Sequence, residues 1–179
     1  IATGSHASSL PGITIDEKRI VSSTGALSLD RCPKKLLVIG AGYIGLELGT
    51  VWARLGAEVE VIEFLPRILP GMDDEIAKKF LAIAKKQGVS FRLSTAVKAA
   101  KTSKTGVSLT VEPAAGGAAE TVTADIALVS VGRHPATDGL GLEAAGISLT
   151  ERGRIAVESR FETSLDDVFA IGDVIDGPM

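Results

Sequence analysis

Three glycines, at positions 40, 42 and 45, have the spacing that most clearly predicts chemistry in this chain. They lie in Gly40-Ala41-Gly42-Tyr43-Ile44-Gly45, which is a G-x-G-x-x-G pattern. In such a pattern the first glycine permits a tight turn, the second lets the backbone approach a diphosphate, and the third lets a helix pack closely on a strand. Because a helix N-terminus offers free N–H groups and the positive end of its dipole, the pattern predicts an anion site at residues 40–45.

The residues around the glycines are typical of a dinucleotide site. An unbroken apolar run, Leu36 to Ile39, predicts a strand before the glycines, and the next predicted strand, Val59 to Ile62, ends at Glu63. This acidic residue lies near the expected spacing of about 20 residues from the first glycine. A carboxylate there can accept hydrogen bonds from the adenosine ribose and would repel a 2'-phosphate, so the pattern predicts NAD rather than NADP.

Two helices are predicted from residues that recur with helical spacing. The first follows the glycines and ends at Gly56, with an apolar stripe of Ile44, Leu48, Val51 and Leu55. The second has acidic residues in its first turn, at Asp73, Asp74 and Glu75, and ends before Gly88, with an apolar face of Ile76, Phe80 and Ile83. Apolar residues at this spacing form one face of a helix, which we expect to cover the sheet.

Further strands follow from the apolar pattern. Between Ala96 and Ala124 the pattern alternates with period 2, which predicts an antiparallel three-stranded meander with a hairpin turn at Gly116-Gly117. Continuous apolar runs at 126–131 and 168–171 predict two more buried strands. The expected fold class is α/β, a Rossmann-like parallel sheet with an antiparallel meander.

Composition excludes several classes of function. The formal net charge of -3 and scattered basic residues argue against a nucleic-acid partner, and no apolar run is long enough for a membrane-spanning helix. One cysteine, Cys32, allows neither an internal disulfide nor a zinc cluster, and we expect no metal site. His6 and His134 are expected to be lone surface histidines.

Four segments together resemble the pyridine-nucleotide disulfide oxidoreductases: residues 40–47, Val61-Ile62-Glu63, Val131-Gly132-Arg133-His134-Pro135 and Ala170-Ile171-Gly172-Asp173. Three more are similar to the dihydrolipoamide dehydrogenase branch of that family: Val51-Trp52-Ala53-Arg54-Leu55-Gly56-Ala57, Arg67-Ile68-Leu69-Pro70-Gly71-Met72-Asp73 and Asp138-Gly139-Leu140-Gly141-Leu142.

The resemblance implies a domain plan. An NAD domain would be inserted into an FAD domain, with a C-terminal dimerisation domain beyond. Residues 1–33 would connect from the FAD domain, 34–160 would form the NAD-binding domain, and 161–179 would return to the FAD domain. The C-x4-C redox pair and the catalytic histidine of the family have no counterpart in these 179 residues, so the chain alone is expected to be inactive and to contain no catalytic residue.

The resemblance also implies site residues. NAD contacts would come from Gly40, Ala41, Gly42, Tyr43, Ile44, Gly45, Glu47, Glu63, Val97 and Gly132. Glu47 would pair with a lysine beside the flavin in the parent enzyme. FAD contacts in the parent would come from Thr3, Gly4, Asp173 and Met179.

The implied activity is electron transfer from dihydrolipoamide through a cysteine pair and FAD to NAD. The parent would be a homodimer that serves 2-oxo-acid dehydrogenase complexes, in the mitochondrial matrix of a eukaryote or the cytoplasm of a bacterium. Two alternatives stay open. One is an NADPH-dependent disulfide reductase, favoured by Tyr43, which resembles the tyrosine of glutathione-type reductases, and by Arg67; the other is a stand-alone NAD-binding module.

Overall fold

The computed structural model describes residues 1–177, which form two compact units. The larger unit contains residues 8–132, and the smaller one combines residues 1–7 with the chain from Arg133 onward. Along the chain the strands are β1 (Ser5–Ala7), β2 (Ile20–Val21), β3 (Lys35–Ile39), β4 (Glu58–Ile62), β5 (Ser90–Arg92), β6 (Thr95–Thr102), β7 (Val107–Pro113), β8 (Glu120–Ala124), β9 (Ile126–Val129) and β10 (Arg133–Pro135). The helices are α1 (Ser23–Leu27), α2 (Tyr43–Arg54), α3 (Asp74–Lys86) and a 3-10 helix at Gly172–Val174.

A five-stranded parallel sheet forms the centre of the larger unit, in the order β2-β9-β3-β4-β5. Every residue of β3 from Leu36 to Ile39 is buried, as are all four residues of β9. Such continuous burial requires cover on both faces of the sheet, so the predicted covered parallel strands are confirmed. The strand predicted over 126–131 ends earlier, at Val129.

The second sheet of the larger unit is the antiparallel meander β6-β7-β8. Val107, Leu109 and Val111 alternate with more exposed residues along β7 and pack against a cluster that includes Leu37 and Ile62 of the parallel sheet. The meander therefore covers one face of that sheet, and the glycine pair Gly116-Gly117 lies in the β7–β8 turn. These observations confirm the predicted α/β class and the meander.

The predicted buried stripe of α2 is wrong in part: Leu48 packs against the core as expected, but the C-terminal end of the stripe turns outward. Gly45, Leu46, Gly49 and Trp52 face the core, whereas Val51 and Leu55 are 47% and 60% exposed. A glycine has no side chain, so the row that contains Gly45 and Gly49 lets the helix approach the strands most closely and becomes the inner face. The apolar pattern missed this because glycine adds little to it.

The predicted apolar face of α3 is also wrong in part. Phe80 packs against the core as expected, but Ala77 and Ala84 are the buried residues of the helix, and Ile76 and Ile83 are more than half exposed. The small alanines again allow the closer contact. The predicted start is confirmed, since the Asp73 side chain accepts the N–H groups of Glu75 and Ile76 and caps the helix.

Residues 8–33, predicted as part of a connector, contribute to the larger unit. Ile20 and Val21 form β2, which pairs with β9, and Ile13 and Ala26 are buried in its cores. The boundaries between the two compact units lie after Ala7 and after Gly132. The boundaries predicted for the cofactor domains lie at residues 33 and 160. The assignment of segments to cofactors stays a prediction.

The smaller unit is held by strand pairing and a compact apolar cluster. β1 pairs antiparallel with β10, and Ile155, Ala170 and Val174 are fully buried. The strand predicted over 168–171 is wrong, because Phe169 makes only an isolated bridge with Glu162. No helix among residues 1–177 is long and apolar enough to span a membrane.

A buried carboxylate on β4 organises a charge cluster in the larger unit. Glu60 is 8% exposed and forms ion pairs with Arg92 and, at 3.3 Å, with Lys35. Arg92 also pairs with Glu120 of β8, and Lys35 lies 3.0 Å from Glu58. Burial by itself would raise the pKa of Glu60, but the hydrogen bonds and charges of Arg92 and Lys35 outweigh burial and lower it.

We expect Glu60→Gln to lower the free energy of unfolding near neutral pH by about 1 to 3 kcal/mol, because two cations lose their shared anion. Glu58→Gln is the matched control; its side chain is 67% exposed, so its loss should stay below about 0.5 kcal/mol. Urea unfolding of the three proteins measures the difference.

The same variants have a defined pH dependence. The pKa of Glu60 in the folded chain lies below its ordinary value of 4.5, so its stabilisation is present above that value and is lost as the pH falls through the folded pKa. The difference in free energy of unfolding between the wild-type chain and Glu60→Gln should therefore become smaller in acid. A gap that stays constant from about pH 7 to about pH 3 would contradict the ion-pair account.

Candidate functional site

The first glycine of the motif makes the turn that leaves β3. Gly40 has a φ of 101°, and its N–H donates to the carbonyl of Ile62 at 2.9 Å. A Cβ at this position would lie 2.5 Å from the carbonyl oxygen of Ser130. Both the dihedral angle and the space exclude a side chain, so the predicted turn role of Gly40 is confirmed.

The second glycine leaves the start of α2 open. Gly42 is the N-cap residue, and no side chain bonds the N-terminus of the helix. A Cβ at Gly42 would meet no heavy atom within 4 Å. The N–H groups of the first helical turn have no partner within the helix, as at any helix N-terminus. The local geometry fits an anion that approaches the backbone.

The third glycine allows the helix to contact the strand. A Cβ at Gly45 would lie 2.4 Å from both the Gly40 carbonyl oxygen and the Ser130 Oγ. The same atom would lie 3.1 Å from Cγ1 of Val38 on β3. Real Cβ atoms do not approach other atoms so closely, so the predicted packing role of Gly45 is confirmed.

Ala41 is held through both of its backbone polar groups. Its N–H donates to Oε2 of Glu63 at 2.7 Å, and its carbonyl accepts the N–H of Leu69 at 2.9 Å. Oε1 of Glu63 accepts the N–H of Leu65 at 2.8 Å. Glu63 therefore lies beside the glycine loop, as predicted, and fixes the loop to the segment after β4.

The Glu63 carboxylate keeps room for a further hydrogen bond. It is buried, and each of its oxygens accepts one backbone N–H. A carboxylate has about four lone-pair sites, so each oxygen can accept a second donor, such as a ribose hydroxyl. These acceptor oxygens thus fit the ribose hydroxyls in the adenosine half of a dinucleotide.

Ser130 was not found by the sequence analysis. Its hydroxyl lies 3.0 Å from the carbonyl oxygen of Ile39 and 3.2 Å from that of Gly40, and donates towards them. It thereby ties the end of β9 to the turn at the end of β3. In the sequence Ser130 lies within the run predicted as a strand over 126–131, and nothing in that pattern indicates the contact.

Arg67 is engaged by the segment that follows Glu63. Its guanidinium pairs with Asp74 and donates to the carbonyl of Met72 at 2.7 Å. These bonds brace the segment that leads into α3. The alternative role for Arg67, contact with a 2'-phosphate, would require the guanidinium to leave these partners.

The remaining residues predicted to contact NAD lie on other parts of the larger unit. Tyr43 begins α2 and is 42% exposed, and Glu47 is exposed one turn further along the helix. Val97 is partly buried at a β-bulge in β6, and Gly132, with a φ of 129°, ends the unit. Contacts of all ten predicted residues with a nucleotide, including Ile44 in the first turn of α2, stay predictions.

The residues predicted to contact FAD lie in the smaller unit. The Thr3 hydroxyl donates to the carbonyl of Ala136 at 2.8 Å, and Gly4 has a φ of 76°. Asp173 lies in the 3-10 helix, where its Oδ2 accepts the Ser5 hydroxyl at 2.6 Å. Thr3, Gly4 and Asp173 thus belong to one unit, although the chain separates them widely. Met179 lies outside the described residues.

A shallow groove lies at the opposite end of β3 from the glycine loop, between Lys34 and the β6–β7 turn. Its polar groups bond to one another: Oδ2 of Asp125 accepts the N–H of Lys35, and the Ser103 hydroxyl accepts the N–H of Gly106.

The two glycines on the inner face of α2 give a matched pair of variants. We expect Gly45→Ala to lower the free energy of unfolding by about 1 to 3 kcal/mol, because its Cβ would overlap the Gly40 backbone. Gly49→Ala should leave stability unchanged or raise it by up to about 1 kcal/mol, since its Cβ would meet Val38 and Val59 at an ordinary 3.5 Å and alanine favours helix. Equal effects in chemical denaturation would refute this packing account.

Comparison with known proteins gives close relatives of greater length. The chain is 58% identical over 179 residues to the mitochondrial dihydrolipoyl dehydrogenase of Pisum sativum, which covers all of this chain and 36% of that protein. It is also 58% identical to the leghemoglobin reductase of Glycine max, again over its whole length and 34% of the relative. The chain thus spans about a third of the length of the curated relatives that it matches.

Solved structures and a family model agree with these relatives. The Cu(II) complex of the HOCl-induced flavoprotein disulfide reductase RclA from Escherichia coli matches 99% of this chain and 40% of its own, with a TM-score of 0.89 and 32% identity. LpdA from Mycobacterium tuberculosis matches 97% and 37%, with a TM-score of 0.87 and 29% identity. Residues 1–179 match the model described as pyridine nucleotide-disulphide oxidoreductase. The chain therefore belongs to this family, which implies FAD and a pyridine nucleotide as cofactors.

Proposed function

We propose that this chain binds NAD(H) at residues 40–45 and supplies the nicotinamide-nucleotide site of a dihydrolipoamide dehydrogenase. The observation that carries the proposal is the open N-terminus of α2 at Gly42, beside a buried acidic residue, Glu63, that already holds the loop. The close relatives named dihydrolipoyl dehydrogenase support the choice of enzyme.

The pyrophosphate of the nucleotide would lie against the first turn of α2. Ala41 is bonded through its N–H and its carbonyl, so the loop has its shape before the ligand arrives. A preformed loop spares the ligand the entropic cost of ordering the backbone. The helix N–H groups and dipole then stabilise the two phosphates without a basic side chain.

The adenosine ribose would lie against Glu63. Its hydroxyls would donate to carboxylate oxygens that already accept the N–H groups of Ala41 and Leu65. A 2'-phosphate in the same place would meet a like charge in a buried setting, where solvent screens poorly. Arg67 pairs with Asp74 and does not offset that charge. These contacts support NAD rather than NADP.

The nicotinamide of NAD, when bound, accepts a hydride from the reduced flavin. This chain's own residues bind and orient the nucleotide for that step. Glu47, exposed on α2, would pair with a lysine beside the flavin, and Thr3, Gly4 and Asp173 would contact the FAD. The sequence contains one cysteine, so we place the redox pair that meets dihydrolipoamide outside these 179 residues.

The relatives also suggest where the intact enzyme acts. We propose that the intact enzyme is a homodimer that serves 2-oxo-acid dehydrogenase complexes. The relatives named mitochondrial support the mitochondrial matrix if the source is a eukaryote, and the bacterial counterpart would be cytoplasmic.

A second candidate is an NADPH-dependent disulfide reductase. Its specific support is Tyr43, which is exposed next to the open N-terminus of α2, together with the similarity to a flavoprotein disulfide reductase. The buried Glu63 argues against a 2'-phosphate. Nucleotide preference therefore separates the two candidates.

We expect the 179-residue chain to bind NADH at least about tenfold more tightly than NADPH, because of the charge on Glu63. Glu63→Gln should narrow that ratio, since the amide oxygen can still accept the Ala41 N–H while the charge is removed. Calorimetric titration with both nucleotides measures the ratio, and Glu58→Gln on the same strand should leave it unchanged. Equal affinities in the wild-type chain would favour the second candidate.

Gly42→Ala tests the phosphate position separately from the fold. Gly42 has an ordinary φ of -75° and no atom near its missing Cβ, so the variant should melt at the wild-type temperature. Its new methyl group would occupy the space of the pyrophosphate, so NADH affinity should fall at least about tenfold. Gly49→Ala, on the buried face of the same helix, should bind NADH normally. If Gly42→Ala bound NADH with wild-type affinity, the proposed position of the pyrophosphate at this loop would be wrong.

A further inference from the structure

His6 and His134 lie directly opposite each other in the β1–β10 ribbon of the smaller unit. Their ring centroids are 5.7 Å apart, and the ring planes are inclined by 49°. Both side chains are exposed. They are the two histidines of the whole chain, so the fold brings together residues that the sequence presents as unrelated.

The two faces of this ribbon carry different chemistry. Successive side chains of a strand point to opposite sides. On one side, Arg133 Nε donates to the Ser5 hydroxyl at 2.7 Å, and that hydroxyl donates to Asp173. His6 follows Ser5 and His134 follows Arg133, so their imidazoles lie on the other side of the ribbon from that network.

The spacing of the rings fits a shared cation. A zinc–nitrogen bond is about 2.0 to 2.1 Å long, which puts each ring centroid about 3.2 Å from the ion. Two imidazoles on one ion therefore have centroids no more than about 6.4 Å apart. The observed 5.7 Å lies inside this limit, so the ring spacing is compatible with one ion shared by the two imidazoles.

We propose that His6 and His134 form a two-imidazole site for a divalent transition-metal cation of the zinc type. Imidazole nitrogen suits Zn²⁺, Cu²⁺ and Ni²⁺, whereas Mg²⁺ and Ca²⁺ select oxygen ligands. Among residues 1–177 no group of three or more histidine, cysteine, aspartate or glutamate side chains is placed to hold a metal. Water completes the coordination, so the ion exchanges with solvent. The expectation of two lone histidines is wrong, because the fold pairs them, and the proposed site departs from the expectation of no metal site.

A bound ion would join β1 to β10. These strands immediately precede and follow residues 8–132 in the chain, and 127 residues separate the two histidines in sequence. In the unfolded chain that separation makes joint binding of one ion costly in loop entropy. The ion therefore binds the folded state preferentially and stabilises it by mass action.

Titration of the 179-residue chain with Zn²⁺ tests the site, followed by calorimetry and by the proton NMR signals of the imidazoles. We expect one Zn²⁺ per chain, a rise in melting temperature, and shifts of both imidazole signal sets at the same ratio of metal to protein. His6→Gln and His134→Gln assign the two sets, and each should weaken Zn²⁺ binding at least about tenfold. Mg²⁺ should change neither signal set.

Cys32→Ser is the matched control, because Cys32 is an exposed thiol in the larger unit and the chain's single cysteine. Its Zn²⁺ affinity should equal that of the wild-type chain. The proposal is overturned if Zn²⁺ binding survives in the double histidine variant, disappears in Cys32→Ser, shifts one imidazole set alone, or is absent from the wild-type chain. If one glutamine variant fails to fold, the other variant and the NMR shifts of the wild-type chain still test whether both imidazoles bind Zn²⁺.

Discussion

The contact between α2 and the end of β3 is the constraint on which the rest of the site depends. Gly45 brings the helix so close that a single methyl group would overlap the Gly40 carbonyl and the Ser130 hydroxyl. Because the helix begins this close to the strand, its first N–H groups lie at the carboxyl edge of the parallel sheet. An anion site there follows from backbone geometry, and no basic side chain is required.

Two buried carboxylates on and just after β4 show how the larger unit stabilises charge in different ways. Glu60 and Glu63 are equally buried, at 8% exposure. Glu60 is balanced by the side-chain cations of Arg92 and Lys35, whereas Glu63 is held by backbone N–H groups of Ala41 and Leu65. An ion-paired carboxylate stabilises the sheet. The carboxylate held by backbone N–H groups lies at the glycine loop, where the proposed nucleotide would meet it.

The sequence predicted those parts of the structure that depend on local pattern. The apolar run of β3, the glycine turn, the position of Glu63 beside the loop and the alternation of β7 all follow from residue type and spacing. The helix faces were wrong for a physical reason: contact distance decides which face turns inward, so Gly45 and Gly49 on α2 and Ala77 on α3 are buried in place of Val51 and Ile76. The contacts of Ser130 and Leu69 with the loop, and the pairing of His6 with His134, join distant segments that no local pattern connects.

We propose that a loop already in its binding shape receives the pyrophosphate at the start of α2. Amide-resolved NMR during titration of the 179-residue chain with NADH tests it most directly. The account predicts that the largest shifts fall on the amides of residues 42–45, with small changes at the groove formed by Lys34 and residues 103–108. Largest shifts in that groove, or in residues 133–177, would contradict the account and place the nucleotide elsewhere.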